Sequence, residues 1–256
     1  MIKIGILGSK GRMGAWVARL VETEFGAQSR VFVEADRGDS LESLLMTDVV
    51  IDFSSPEAMS ELATLALKKA SLGISGGTSD EIPPGLPTFV VGSTGWNSQS
   101  HKVLTKLAEK TSVLESTNFS EGIFLLNQLL KQASPALSKL GYRPVILETH
   151  HIHKKDAPSG TALTLRKSID GEGASTTEIH SIRAGEVVGD HEVKFYGPSD
   201  QITLHHHAQD RAIFARGAIR AALWLVHKQK SSQKTGMYGM ESFCELGPEG
   251  LSKGVE

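Results

Sequence analysis

The chain of 256 residues is long enough to bury one large core or two moderate ones, and 39% hydrophobic with 22% charged residues excludes a disordered protein. A formal net charge of −2 without dense runs of Lys and Arg leaves nucleic acid no electrostatic footprint, and no apolar stretch reaches the ~18 residues that span a bilayer. The single cysteine, Cys244, excludes an internal disulfide framework and a cysteine-rich zinc site, and with no leader character in the opening MIKIGILG the cytoplasm is expected.

Ile2, Ile4, Ile6 and Leu7 form a short apolar run closed by Gly8, and Met13, Val17, Leu20, Val21 and Phe25 then recur at helical spacing over 12–25. The pattern is strand, glycine turn, helix. A second strand is predicted at 31–37 and a third at 49–53, followed by a helix over 56–70 with Pro56 at its first position. After a Gly- and Pro-rich loop at 73–87 come a strand at 88–91, a helix near 98–110 and a strand at 112–116. Strand and helix alternating in this way imply a parallel sheet covered on both faces. Beyond Asn118 the rhythm changes. A helix near 121–139 leads into strands at 144–151, 176–185, 191–197 and 201–208, which suggest an antiparallel or mixed sheet, and helical spacing returns over 211–227. The expected fold is α/β: a Rossmann-type dinucleotide-binding domain over 1–117, completed by 229–256, and an α+β domain over 118–228.

The turn Gly8-Ser9-Lys10-Gly11-Arg12-Met13-Gly14 lies between the first strand and helix, where backbone N–H groups and the helix dipole suit a pyrophosphate. Its GxxGxxG spacing departs from the usual GxGxxG, and glycines also serve merely to turn a strand into a helix. An acidic residue ending the second strand would hold the adenosine ribose; Asp36 fits, with Glu34 its competitor. Arg37, Lys10 and Arg12 could neutralise a 2′-phosphate, so NADH and NADPH are both admissible, while Arg37 reads equally as a solvated loop cation.

The stretch HHIHKKDAPSG (150–160) places three of the ten histidines within four positions. Along an extended strand His151 and His153 share one side and His150 the other, so at most two converge. Even with His205 and His207 added from another strand, the charges of Lys154 and Lys155 oppose a dication, and no metal is expected there. Asp156 or Ser159 can cap a helix opening with Gly160 and Thr161, whose N–H groups form an anion site favouring a dianionic substrate. Histidine titrates near neutral pH and lysine offers a mobile cation. That pairing suits proton delivery to a carbanion or imine formed by hydride addition, although histidines on an exposed loop would read the same way.

On GSKGRMG (8–14), DFSSPEA (52–58), GSTGW (92–96), NFSEG (118–122), ETHHIHKKDAPSGTAL (148–163), IRAGEVVGDH (182–191) and FARGAIRAALWL (214–225), the chain resembles a known family over nearly its whole length. That family is 4-hydroxy-tetrahydrodipicolinate reductase (dihydrodipicolinate reductase) of the bacterial and plant lysine pathway. The histidine block is its specific part; the glycine loop would fit many dehydrogenases. The resemblance implies NAD(P)H-dependent reduction of a small cyclic dicarboxylate to tetrahydrodipicolinate, in diaminopimelate and lysine biosynthesis. It also implies a homo-oligomer, a tetramer, associating through the sheet of the second domain.

By position, the resemblance makes His150 the catalytic acid and Lys154 a second proton donor, with His151, Ser159, Gly160, Thr161 and Thr94 as substrate ligands. Gly8, Ser9, Lys10, Gly11, Arg12, Met13, Asp36, Arg37, Gly92, Ser93, Thr94, Ser116, Thr117, Asn118 and Phe119 fall on the nucleotide-contacting segments. It selects GSTGW, not the similar GISGGTS at 73–79, as the nicotinamide-side loop. Lys10 where many members have glycine, Ser93 for the usual threonine, and the short connection from Arg37 to Asp52 depart from the family pattern. A reductase of another small carboxylic acid and a nucleotide-sensing regulator on the same fold are the rival readings. A regulator need not keep His150 and Lys154 together with the Ser-Gly-Thr turn, so their joint presence favours catalysis.

Overall fold

The computed structural model describes residues 1–72, 85–171, 173, 176–232 and 234–244. In chain order the elements are β1 (Ile2–Leu7), α1 (Arg12–Thr23), β2 (Ser29–Ala35), β3 (Val49–Asp52), α2 (Pro56–Leu72), β4 (Thr88–Val91), α3 (Ser98–Ala108) and β5 (Ser112–Glu115). They continue with α4 (Glu121–Lys139), β6 (Arg143–His150), α5 (Gly160–Asp170), β7 (Glu178–Arg183), β8 (Gly189–Tyr196), β9 (Gln201–Ala208), α6 (Ala212–Ser232), β10 (Gly236–Tyr238) and α7 (Met240–Phe243). The chain divides into two compact units: Met1–Phe119 with Phe214–Glu256, and Ser120–Ile213.

In the first unit, among the described residues, six parallel strands lie in the order β10-β5-β4-β3-β1-β2. Every residue of β3 and β4 is buried, because α/β packing covers both faces of the sheet. The reversal of strand order falls between β1 and β3, and ligands of open parallel sheets bind beyond the carboxyl ends of the strands at such a switch point. Between β2 and β3 the chain forms only a short 3-10 helix, Glu42–Met46, in place of a full crossover helix. Helix α1 turns Gly14, Val17, Leu20 and Val21 inward, the three-to-four-residue spacing that its sequence displays.

Helix α6 corrects the expected domain boundary: the structure puts the division at 213/214, where 228 was expected. The reason lies in its small residues. A Cβ on Gly217 would come within 1.9 Å of the Phe119 carbonyl oxygen, and Ala215, Ala218, Ala221 and Ala222 are fully buried, so the helix packs closely on the first unit. Two polar contacts fix it: the Gln229 side chain accepts from the Ser112 N–H at 2.8 Å, and Arg216 forks onto Glu24 with two 2.7 Å bonds. Strand β10 and helix α7, which the sequence did not announce, follow it, and β10 closes the sheet against β5. The segments 73–84, 233 and 245–256 of the expected insertion and tail lie outside the described residues.

The second unit is a mixed sheet in the order β7-β6-β8-β9, with β6 and β7 parallel and the remaining neighbours antiparallel. Ile146, Val193 and Phe195 of the sheet pack against Ile123, Leu126 and Leu130 of α4 and Ala162 and Leu165 of α5. Full burial of such side chains stabilises by roughly 1.5–3 kcal/mol each before entropy is subtracted. Alternate residues, among them Asp190, Glu192, Tyr196, His205 and His207, point to the opposite face and are partly or fully exposed.

Candidate active site

In the first unit the glycine turn is a tight backbone cradle. Gly8 has φ +83°, and a Cβ there would lie 2.9 Å from the Phe53 carbonyl; a Cβ on Gly14 would lie 2.2 Å from the Gly8 carbonyl oxygen. Only glycine fits at either position. The Gly8 N–H donates to the Ala35 carbonyl at 2.9 Å, the Lys10 N–H to Asp36 Oδ2 at 2.8 Å, and the Gly11 N–H to the Gly8 carbonyl at 3.1 Å. The N–H groups of Arg12, Met13 and Gly14, in the first turn of α1, are therefore the ones left for an anion, and Gly11 caps that helix without a side-chain bond. This donor set fits a dinucleotide pyrophosphate.

Asp36 follows β2 directly, and the N–H groups of Arg37 and Lys10 hold its carboxyl below the usual carboxylate range. Glu34 lies within β2 and is exposed. Of the two acids, Asp36 touches the glycine turn. Arg37 joins through its backbone, at 2.7 Å from Asp36 Oδ1.

At the ends of β3 and β4 a residue outside the expected set organises the loop. Asp52 is fully buried and accepts 2.5 Å bonds from the hydroxyls of Ser54 and Ser93. Burial pushes its pKa up despite those bonds. Ser93, expected at the nucleotide, is thus turned inward and 5% exposed, leaving Thr94 as the exposed side chain of GSTGW. A Cβ on Gly92 would lie 2.4 Å from the Phe53 ring, which packs edge-on against Phe119. The Ser116 hydroxyl accepts from the Asn118 N–H and donates to the Asn118 carbonyl, closing the turn after β5; Thr117 is exposed there.

The second unit gathers its polar residues by register. Parallel pairing sets His150 beside Arg183, and antiparallel pairing sets Glu148 beside His191. Glu148 is fully buried and hydrogen-bonds His150 Nδ1, while Arg183 forks onto its two oxygens at 3.0 and 3.1 Å and the Ser159 N–H donates to it at 3.2 Å. Burial pushes Glu148 up, but Arg183, Ser181 and His150 together hold its carboxyl below the usual range. Burial lowers the pKa of His150, 8% exposed, more than Glu148 raises it, and the charges of Lys154 and Arg183 add to the lowering. Its Nε2 is directed at Gly189, where an added Cβ would stand 3.3 Å away.

The strand ends at His150, and the following turn carries His151 and His153 with ring centroids 6.1 Å apart. Lys154 pairs with Asp156 at 2.8 Å, so Asp156 is not the helix cap. Ser159 is: its hydroxyl accepts from the Ala162 N–H at 3.2 Å, and the helix opens on exposed Gly160, then Thr161. His191 completes the array, 3.3 Å from the Ser159 hydroxyl and edge-on to His150 at 5.1 Å; burial, then the neighbouring His150, lowers its pKa to about 4.

Comparison with known proteins bears on what this arrangement is for. Residues 2–81 match the family described as dihydrodipicolinate reductase, N-terminus, and residues 122–244 match dihydrodipicolinate reductase, C-terminus. A 4-hydroxy-tetrahydrodipicolinate reductase of Campylobacter jejuni is 36% identical over 267 residues, spanning 96% of this chain and 100% of the relative. One of a Sulfurovum species is 38% identical over 272 residues, spanning 94% and 98%.

The chain belongs to the dihydrodipicolinate reductase family. As a member of the family it is an oxidoreductase, and the fold agrees. A dipicolinate-bound dihydrodipicolinate reductase from Paenisporosarcina, 22% identical, matches with a TM-score of 0.70 over 94% of this chain and 99% of its own. A probable dehydrogenase from Thermotoga maritima, 12% identical, matches at 0.58 over 94% and 92%. Glu148, Arg183, His191 and Asp52 were not singled out from the sequence, although each lies in one of the segments that carry the resemblance. Alternation along a strand would have put Glu148 on the face of His150; the partners across the sheet had no comparable signal.

Proposed function

We propose that the protein reduces 4-hydroxy-tetrahydrodipicolinate to tetrahydrodipicolinate with NADH or NADPH, in the cytoplasm, on the route to diaminopimelate and lysine. The reading is carried by the buried Arg183–Glu148–His150 array beside the Ser159-capped helix, in a chain that matches the reductase family almost end to end. The turn over 8–14 receives the nucleotide pyrophosphate on α1 N–H groups, with Asp36 at the ribose and Arg37 at a 2′-phosphate. Bound NAD(P)H supplies the hydride. In the net reaction the substrate loses its hydroxyl as water and gains one hydride and one proton.

His150 delivers that proton from Nε2, because Glu148 engages Nδ1 and fixes the ring. Burial keeps the free imidazole neutral at neutral pH; the two carboxylates of an arriving substrate favour the imidazolium, so substrate binding loads the acid. The N–H groups opening α5 at Gly160 and Thr161 receive one carboxylate, with His151 and Ser159 as further ligands. Lys154, released from Asp156, is the second proton donor. Self-association into a tetramer uses the outer face of the second unit's sheet, where Ile182 and Tyr196 are 46% and 45% exposed.

The test is nucleotide oxidation with substrate generated in place from pyruvate and aspartate semialdehyde by the condensing enzyme. Oxidation that requires the complete mixture is expected. Its absence with both NADH and NADPH overturns the assignment in favour of another small-acid reductase.

A further inference from the structure

The outer face of the second unit's sheet carries a histidine cluster separate from His150. His205 and His207 are two residues apart on β9 and share one face of the strand, while His206 between them turns inward, its Nε2 3.1 Å from the Ser120 hydroxyl. On the antiparallel neighbour β8, Asp190 stands opposite His207 and Glu192 opposite His205. Asp190 reaches both rings, with Oδ1 2.9 Å from His205 Nε2 and Oδ2 2.7 Å from His207 Nδ1. One ligand atom from each of the three lies within 4.8 Å of the others, a convergence that among the described residues belongs to this trio.

We propose that Asp190, His205 and His207 form a binding site for a divalent transition-metal ion, zinc being the reference case. Tetrahedral coordination at 2.0–2.1 Å places ligand atoms roughly 3.3 Å apart. The present separations, from 2.7 Å up to at most 4.8 Å, bracket that value, so small side-chain rotations on a fixed two-strand scaffold complete three corners. Two neutral imidazoles with one carboxylate make a nitrogen-rich set that suits zinc, nickel or copper and not calcium or magnesium. On this face Lys194 of β8 is paired with Glu192 at 2.8 Å. In the single subunit the side chains of His205 and His207 are 45% and 51% exposed, which leaves the fourth corner open to water or, within the proposed assembly, to a group of a neighbouring subunit.

The site is independent of the proposed reaction, and its test is metal uptake by the full-length, untagged, chelator-stripped protein. Zinc is titrated calorimetrically, and cobalt by its visible absorption, at slightly alkaline pH. One zinc per chain is expected, in whatever assembly the protein forms, with tetrahedral-type cobalt absorption. His205→Ala combined with His207→Ala should weaken uptake by more than about a hundredfold, beyond the 10–100-fold that loss of an outer-shell partner costs. Asp190→Asn keeps the side-chain shape and should weaken it at least about tenfold, which answers the case in which the double variant does not fold. Failure of the wild-type protein to take up zinc, or unchanged uptake by the variants, overturns the site.

Discussion

Glu148 decides what His150 can do. A histidine buried to 8% exposure next to two cations would lose its proton at a still lower pH, and its ring would lack a fixed partner, were it not for a carboxylate bonded to Nδ1 and itself clamped by Arg183. His150→Gln should lower kcat by about 10²- to 10⁴-fold with little change in KM, the size of a lost general acid. Glu148→Gln is more diagnostic. It removes the one group that raises the His150 pKa, so the protonated form becomes scarcer near neutrality. The pH above which kcat/KM declines should move down, with at least about a tenfold loss at neutral pH, short of the ~10⁴-fold seen when an orienting carboxylate is lost and the wrong tautomer results. A pH–rate profile superimposable on that of the wild type would reduce Glu148 to a structural part. For the nucleotide, Arg37→Ala retains the backbone N–H that bonds Asp36 and removes only the guanidinium, so NADPH binding should weaken while NADH binding is nearly unchanged. Equal loss for both would make Arg37 structural.

Elements were legible where their signals were local. The start of α5 could be read because Ser159 is a capping residue at the head of a run, and β4 because a threonine and three apolar residues, all buried, sit between a proline and a glycine. The Glu148 array was not legible, because its partners lie 35 residues away at Arg183 and 43 at His191 (183 − 148 and 191 − 148), and strand register is set by tertiary packing. The inward turn of Ser93 was hidden for the same reason: Asp52, 41 positions earlier, captures its hydroxyl. The α5 N-terminus yields an element-scale test. A Cβ on Gly160 would meet nothing within 4 Å, so Gly160→Val should leave thermal stability nearly intact while obstructing approach of a carboxylate to the backbone. Pyridine-2,6-dicarboxylate should inhibit the wild-type enzyme, and the variant should show weaker inhibition and a raised KM together, with nucleotide affinity retained. Failure of this dicarboxylate to inhibit the wild type at millimolar concentration, with NADH still bound, would withdraw the dicarboxylate assignment.

At the scale of the molecule, the alternation of strands and helices disclosed a parallel sheet followed by a mixed one, but not that α6 returns to the first unit. Its alanines and Gly217 read as an ordinary amphipathic helix until Phe119 and Ser112 are seen beside it. Two units also mean that unfolding must be followed unit by unit. Trp16, Trp96 and Trp224, the three tryptophans of the chain, all lie in the first unit, so their fluorescence is blind to the second; hydrogen exchange of the β6 and β8 amides is not. In that second unit His191 has a pKa of about 4 when folded and 6.5 as its ordinary value. Between those two pH values the unfolded chain binds a proton that the folded chain refuses, so stability falls as pH drops from 6.5 toward 4 and this contribution levels off below. His150 and His206, lowered in the same direction, add to the fall. From pH 7 to pH 5 the His191 share amounts to about 2 kcal/mol at ~1.4 kcal/mol per pKa unit. Amide protection in β6 and β8 should therefore fall across that range in the wild type. In His191→Gln, which has nothing to titrate there, it should fall by about 2 kcal/mol less, whatever the substitution costs at pH 7. An identical pH dependence in both proteins would mean that the folded second unit admits the proton on His191 as readily as water does.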